Sequence, residues 1–261
     1  SDPALSRYAI LIANIVVREH PDALIGHLDQ LRKALETNYE SVKELGMDTI
    51  ERFTRDHYEQ ITADDIVVIS KGINDDSRGV RGDAALTLSR VAIDRPEAVT
   101  SYVGALVEQT QLADGSSVVA MHALRRITRE NPSAVLPYTQ QLLELYTDLE
   151  GGHISWLNVL APLVGEADEI PDHVDKFVSL LNEDDGTLRA SSVFIRVLSH
   201  EAPEALVPYL DELDAHIDAD PEIAVHIIRT FSAIAEYNTS HVVPRLDRIV
   251  GQYGADEEVN H

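Results

Sequence analysis

No cysteine occurs anywhere in the 261 residues. That excludes disulfide staples and thiolate metal sites, although it does not by itself select a compartment. Lysine is nearly as scarce, with Lys33, Lys43, Lys71 and Lys176 the only four among 21 cationic side chains. Aromatic residues make up 5% of the chain, and Trp156 is the single tryptophan. No stretch approaches the roughly 18 uncharged apolar residues of a membrane span, and no basic region followed by an apolar run marks a secretory signal. The expectation is a soluble, cytoplasmic protein. Asn238-Thr239-Ser240 fits a glycosylation acceptor, but without such a signal it reads as a chance match. No Gly-rich phosphate loop, nucleophile elbow or paired zinc-ligand motif is found. The chain begins at Ser1 rather than at a methionine, as a trimmed chain or an excised domain would.

What the chain has in excess is carboxylate. Aspartate and glutamate number 45 against 21 lysines and arginines, a formal charge of −24, on a chain whose 44% hydrophobic content gives ample material for a packed core. A carboxylate-rich, lysine-poor surface resembles that of a halophilic archaeal protein from a salt-filled cytoplasm. In molar salt the Debye length falls to about 3 Å, and charges that repel in dilute buffer are screened. On this reading the acidity is solvation chemistry rather than a binding signal.

The chain repeats itself. With an elbow position as marker, Pro21, Tyr58, Pro96, Pro132, Asp168, Pro203 and Asn238 align, and successive spacings are 37, 38, 36, 36, 35 and 35 residues. The sixth residue after the marker is Tyr102, Tyr138 or Tyr209 in three copies. The tenth is apolar in six (Leu31, Val68, Leu106, Leu142, Val178, Leu213), and the seventh copy slips by one to Ile249. Each unit carries two arms of helical periodicity. Ala84, Leu88 and Val91 fall at i, i+4 and i+7, and Val99, Val103 and Leu106 do the same after the proline; Val119, Ala123 and Ile127, then Val135, Tyr138, Leu142 and Leu145, repeat the pattern. Neither arm can bury its apolar face alone, so stacked hairpins with a continuous core are the physical solution. Elbow prolines suit the first turn of a helix, where the missing donor has no partner. Glu97, Glu204 and Asp22, directly after such prolines, complement the positive helix end.

Tetratricopeptide and ankyrin arrays have similar periods, but their signatures are absent. What recurs is an aspartate, then an arginine, then a small residue: Asp76, Arg81 and Ala84; Asp185, Arg189 and Ala190; more loosely Asp2, Arg7 and Ala9. This pattern, clearest between Asp75 and Gln111, resembles the HEAT-repeat (armadillo-like) family. The resemblance implies an all-α fold, an α-solenoid (right-handed superhelix) of about seven HEAT-like helical hairpins. It further implies a ladder in which Asp76, Arg81, Asp185 and Arg189 join neighbouring hairpins. Val118, Ile154 and Ala224 stand near the arginine position in other copies and break it there. The expected organisation is a single array over 1–253, with repeats near 1–36, 37–74, 75–112, 113–148, 149–184, 185–219 and 220–253, followed by a polar, frayed tail at 254–261. Two copies are irregular. The second has Gly46 in its first arm and no elbow proline; the fifth has Gly151 and Gly152 before its first arm and Pro162 within it, so a local bend is expected there.

The function expected of such an array is that of a non-catalytic scaffold for protein–protein interaction. In the family, second helices line a concave face, so partner contacts are expected at exposed second-arm positions: Gln140, Gln141, Glu144, Asp211 and Glu212. Trp156 is either an exposed anchor or core filler near the bend. Arg125, Arg126 and Arg129, with Arg90 and Arg95 one repeat earlier, form the strongest basic cluster. Arginines near a helix C-terminus complement its dipole, and their alternative role is contact with an acidic partner. Tyr102, Tyr138 and Tyr209 read as packing residues between repeats. The alternative function is a HEAT-like enzyme or nucleic-acid-binding module. Deoxyhypusine hydroxylase resembles this architecture and holds a di-iron site in recurring His-Glu pairs, but His200-Glu201 is the one such pair and has no symmetric partner. Asp211, Asp214 and His216 share helical spacing and read as a solvated face. HEAT-like DNA glycosylases need a basic groove to neutralise phosphate, which a chain of −24 does not offer generally. No cofactor and no metal are expected; the expected partner is another protein, as an extended segment or helix.

Overall fold

The computed structural model describes residues 3–112, 115–146, 153–218 and 220–255, with side chains described except at 3, 146, 153, 185 and 252–255. The ladder aspartate Asp2, the Gly151–Gly152 pair and residues 256–261 of the tail lie outside the described residues. All regular structure among the described residues is helical.

The first arms are α1 (Pro3–Glu19), α3 (Glu40–His57), α5 (Arg78–Val91), α7 (Gly115–Glu130), α9 (His153–Leu160), α11 (Asp185–Glu201) and α14 (Pro221–Tyr237). Five of them end within two residues of the elbow predicted from spacing, whereas α5 ends five residues before Pro96 and α9 eight before Asp168; the seventh second arm starts at Thr239, so the one-residue slip already exists at the elbow. The second arms contain α2 (Leu28–Leu35), α4 (Ala63–Lys71), α6 (Val103–Gln109), α8 (Thr139–Tyr146), α10 (Val174–Ser179), α12 (Pro203–Leu206) with α13 (Leu210–Ala215), and α15 (Leu246–Ala255).

One expectation needs revising. The second arm is not a continuous α-helix. In the third copy Pro96–Ala98 and Thr100–Tyr102 are separate 3₁₀ turns before α6 begins; in the fourth, Pro132–Ala134 and Leu136–Tyr138 precede α8. The elbow proline fixes φ for the first of these turns. A second proline, at Pro137, Pro208 and Pro244, lies in the second turn and lacks the N–H that an α-helical ladder would use. The phased tyrosines Tyr102, Tyr138 and Tyr209 each close this second turn.

Contacts divide the chain into two compact units, Ser1–Tyr138 and Thr139–His261, each built the same way. In the first, α1 packs on α3, α3 on α5 and α5 on α7, while each second arm also packs against the next first arm, as α2 does on α3, α4 on α5 and α6 on α7. In the second, α9 packs on α11 and α11 on α14, with α8 against α9 and α10 against α11. Ala84, Leu88, Val91, Val99, Val103, Leu106, Ala123, Ile127, Val135 and Leu142 are all fully buried, as their spacing requires.

First arms meet in a fixed register. Nine residues before the elbow, counted from Thr239 in the slipped seventh copy, stand Thr49, Thr87 and Thr230, each fully buried, with its hydroxyl bonded to the carbonyl four residues back (Leu45, Asp83 and His226). That local bond satisfies the hydroxyl, so threonine can be buried where two helices approach. Thr49 also accepts from Asn14 Nδ2 of α1, at 3.1 Å. Six residues before the elbow, Arg90 reaches back to α3, donating to the Glu51 carboxylate at 2.7 Å, the Glu51 carbonyl at 2.9 Å and Thr54 Oγ1 at 3.2 Å.

The irregular copies have local explanations. Gly46 is buried where α3 meets α2, and a Cβ there would sit 3.2 Å from both Ala34 and Leu35 side chains. Pro162 ends the fifth first arm rather than kinking it: α9 stops at Leu160, a 3₁₀ turn carries the proline, and Gly165 then takes φ +88° to turn the chain.

Candidate interaction faces

Stacking gives each unit two kinds of exposed face, one formed by consecutive second arms and one by consecutive first arms. On the second-arm side of the first unit, a groove of about 430 Å³ runs between α2 and α4, lined by Asp29, Arg32, Lys33, Glu36, Asp64, Val67, Val68 and Lys71. Its charges are largely paired across the groove. Arg32 contacts Asp29, Asp64 (3.7 Å) and Asp65 (3.3 Å), and Lys71 lies 3.7 Å from Glu36. Asp65 is buried because it closes a capping box with Thr62 at the start of α4.

On the second-arm side of the second unit, Val207, Pro208, Leu210, Asp211, Ser240, His241, Pro244 and Arg245 line a groove of about 260 Å³. Asp211 is tied to Arg245 of the next second arm, and Arg248 bridges Asp214 (2.6 Å) and Asp218. The hydrogen bonds it donates to these two aspartates hold the Arg248 guanidinium above its usual pKa. Of the five residues expected to meet a partner, Gln140, Glu144, Asp211 and Glu212 are exposed and Gln141 is half-buried. Gln140 donates to Glu144 at 2.9 Å, so these two form a local pair on α8. His216 is partly buried, and desolvation lowers its pKa, so it favours the neutral form.

On the first-arm side, α5 and α7 of the first unit frame a furrow in two stretches that share Leu86. One, of about 370 Å³, is lined by Arg78, Gly79, Gly82, Asp83, Gly115, Ser116 and Val119; the other, of about 280 Å³, by Ser89, His122, Arg125, Arg126 and Arg129. The five arginines grouped in the sequence separate here. Arg90 and Arg95 turn to the preceding hairpin, Arg95 donating to the Tyr58 carbonyl at 3.1 Å. Arg125, Arg126 and Arg129 stay exposed in the furrow, where Arg129 pairs with the adjacent Glu130 and the other two have no ion pair among the described residues. Asp83 is the unusual group at the other end. Desolvation, then the like charges of Asp48 and Glu51, push its carboxyl up to about 7 against the opposing pull of Arg52 and Arg55. No periodicity in the sequence could have revealed it, since its neighbours come from another hairpin.

The remaining candidates fall into the framework. Trp156 is 2% exposed, so the reading of it as an exposed anchor is corrected: it is core filler on α9, a helix that packs on α8 and α11. Tyr138 lies against Gly104 of the preceding second arm, where any Cβ would come within 2.8 Å of its hydroxyl oxygen. At the ladder, Arg81 donates to the carbonyls of Asp75 (2.6 Å) and Asp76 (2.9 Å) and to Ser116 of the next first arm (3.3 Å), while the Asp76 side chain is exposed. The carboxylate that crosses to the preceding hairpin is that of Asp75, paired with Lys43. Burial alone would raise the Asp75 pKa, but the Lys43 ammonium and the Ser77 amide outweigh it and hold it below the usual range. Arg189 pairs with Glu222 of the next first arm; the side chain of Asp185 is outside the described residues. His200 and Glu201 are exposed at the end of α11, the latter against Gly165, and no group of three metal-ligating side chains occurs among the described residues. No described helix is long and apolar enough to cross a membrane.

With this geometry in view, the solved structures supply the comparison. A computationally designed armadillo repeat protein for modular peptide recognition superposes with a TM-score of 0.62 at 15% identity, covering 78% of this chain and 98% of its own. The chain folds as an armadillo-like helical repeat. A second designed armadillo repeat protein matches with a TM-score of 0.59 at 14% identity over 78% of this chain and 98% of its own, and an engineered protein with 0.64 at 17% over 79% and 96%. No protein-family description and no curated protein matches the sequence. The likeness is thus one of fold, carried by the hairpin stacking described above.

Proposed function

We propose that the array is a non-catalytic scaffold that binds an extended or helical segment of another protein along its second-arm faces. The observation that carries this reading is the groove between consecutive second arms, found in both units and lined by charged and apolar side chains together. The peptide-recognition purpose of a designed neighbour supports it. Arg32, Lys71 and Arg245 in these grooves are already paired, and the second arms beside them present Glu212 as an exposed carboxylate, with Gln140 and Gln141 as neutral hydrogen-bonding groups and Glu144 bonded to Gln140. The segment that fits is basic. Electrostatic complementarity of this kind sets encounter rate and selectivity more than raw affinity.

The test is binding of fluorescent extended peptides of basic, neutral and acidic composition to the whole chain and to a variant carrying Glu144→Lys and Glu212→Lys. The expected result is preference for the basic peptide, lost in the variant with thermal unfolding unchanged. Equal binding of all three peptides, or a variant that melts early yet binds normally, would show that the face is assigned incorrectly.

A second reading is favoured by one observation: Arg125 and Arg126 line the α5–α7 furrow and have no ion pair among the described residues, in an otherwise acidic chain. An acidic segment or a nucleic acid fits there. A salt series with a polyglutamate peptide and with duplex DNA separates the two, because phosphate neutralisation gives a steep loss of affinity with salt that Arg125→Glu would flatten.

A further inference from the structure

The outer side of α1 is apolar, and no described residue covers it. Leu5, Tyr8, Ile12 and Ile15 are 69%, 65%, 61% and 56% exposed and form a stripe at i, i+3, i+7 and i+10. Counted back from the elbow Pro21, they stand sixteen, thirteen, nine and six residues before it. The same places in α5 hold Val80, Asp83, Thr87 and Arg90; Val80 and Thr87 are 2% and 0% exposed, and Arg90 is bonded to α3. In α3 they include Val42 and Thr49, 2% and 0% exposed, the latter bonded to α1. The stripe is therefore half of an inter-hairpin interface, the half that a first arm presents to the hairpin before it.

The last hairpin shows the other half. Leu246 and Val250 on α15 are 49% and 57% exposed. Allowing for the one-residue slip, their counterparts on α6 are Val103 and Val107, both fully buried where α6 packs against the next first arm, α7. The first and the last described hairpin thus each present an apolar stripe of the kind that hairpins inside the stack bury.

We infer that a second copy of this chain docks head to tail, its α1 packing against α14 and α15 as a following first arm packs on the hairpin before it. Two features favour this occupant over a symmetric pairing of two α1 helices. The internal interfaces in each unit use a first and a second arm on one side and a first arm on the other, and only the head-to-tail arrangement reproduces that geometry. It also covers both stripes, whereas α1 on α1 leaves Leu246 and Val250 in water. The contact is heterologous, so it does not close on itself and growth continues with concentration. A charge of −24 on each copy opposes it in dilute buffer, and molar salt removes most of that opposition.

Sedimentation of the whole chain in molar KCl tests this, with one variant blocked at each end: Ile12→Asp with Ile15→Asp on α1, and Leu246→Asp with Val250→Asp on α15. All four positions are exposed, and unchanged helical circular dichroism verifies that the variants fold. The unaltered chain is expected to show a weight-average mass that at least doubles as concentration rises. Each variant alone is expected to remain monomeric, and an equimolar mixture to form one-to-one dimers, since each variant keeps the end that the other lacks. A monomeric parent at all concentrations overturns the inference. So does an α15 variant that still dimerises by itself, which would indicate pairing through α1, and so does a mixture that stays monomeric.

Discussion

Arg90 and Arg125 both lie near the end of a first arm, yet the fold uses them in opposite ways. Arg90 has an 18% exposed side chain and satisfies a Glu51 carboxylate that is only 3% exposed. Removing it leaves a buried charge with one remaining partner, Arg55 at 2.9 Å. Arg90→Ala is therefore expected to cost about 3 kcal/mol, within the range for breaking a buried pair. Arg125→Ala, on an exposed side chain, is expected to change stability by no more than about 0.5 kcal/mol. Urea denaturation of both variants measures the difference, and equal costs would mean that the two roles are misassigned. Asp83 gives a pH-dependent counterpart. Its folded pKa of about 7 lies above its ordinary value of 3.8, so the folded state holds a proton that the unfolded state has released. Stability from this group is full below the unfolded pKa, falls as pH rises toward the folded pKa, and is flat above it. Asp83→Asn removes that loss. Relative to the parent it is expected to be neutral at pH 4 and stabilising by on the order of 1–2 kcal/mol at pH 8, after discounting for solvent screening. A gain that is the same at both pH values would contradict the assignment.

At the scale of the element, the fifth hairpin differs most from the others, and Gly165 is the residue on which its turn depends. Its φ of +88° is the one positive value among the described residues, and a Cβ there would meet the Glu201 side chain at 3.1 Å. Gly165→Ala is expected to cost about 1–2 kcal/mol for the left-handed backbone alone. Gly79→Ala, on an exposed helix position with the nearest atom at 3.7 Å, is expected to be neutral or to gain up to about 1 kcal/mol; thermal unfolding of the pair decides. Much of the fold could be read before any coordinates. The elbow spacing located five of the seven first-arm ends to within two residues, because a proline or polar break at constant period is a local signal, while α5 and α9 end earlier. The 3₁₀ character of the second arms was hidden. Pro137, Pro208 and Pro244 recur at the second turn, but the third copy has Ser101 there and makes the same turn, so packing rather than one residue type decides it. The site was less legible still. Whether an arginine pairs backward, like Arg90, or faces a furrow, like Arg125, depends on what the neighbouring hairpin offers. The ladder shows the same limit, since Asp75 and Asp76 are alternatives in sequence and one turn of backbone selects Asp75 for Lys43.

For the molecule as a whole, the balance of charge sets the response to salt. With 45 carboxylates and 21 cationic side chains, carboxylates outnumber cations by 24. Salt acts on two opposing sets of interactions. It weakens the exposed ion pairs, among them Arg245 with Asp211 and Arg248 with Asp218, each worth about 0–1 kcal/mol at most. It also screens the mutual repulsion of the excess carboxylates, which acts over the whole surface and is relieved on unfolding as the charges separate. The more deeply placed pairs, such as Glu51 with Arg90, are little affected, because they are shielded from the electrolyte. The few exposed pairs are outnumbered by the excess carboxylates, so screening dominates and stability is expected to rise from dilute buffer to molar KCl. A net gain of about 2–3 kcal/mol would raise the midpoint of thermal unfolding by about 5–10 °C for a chain of this size. Replacing KCl by an equal osmolality of a neutral solute should remove most of the rise. A midpoint that stays flat or falls in KCl, or that rises equally with the neutral solute, would mean that the carboxylate excess is not what salt acts upon.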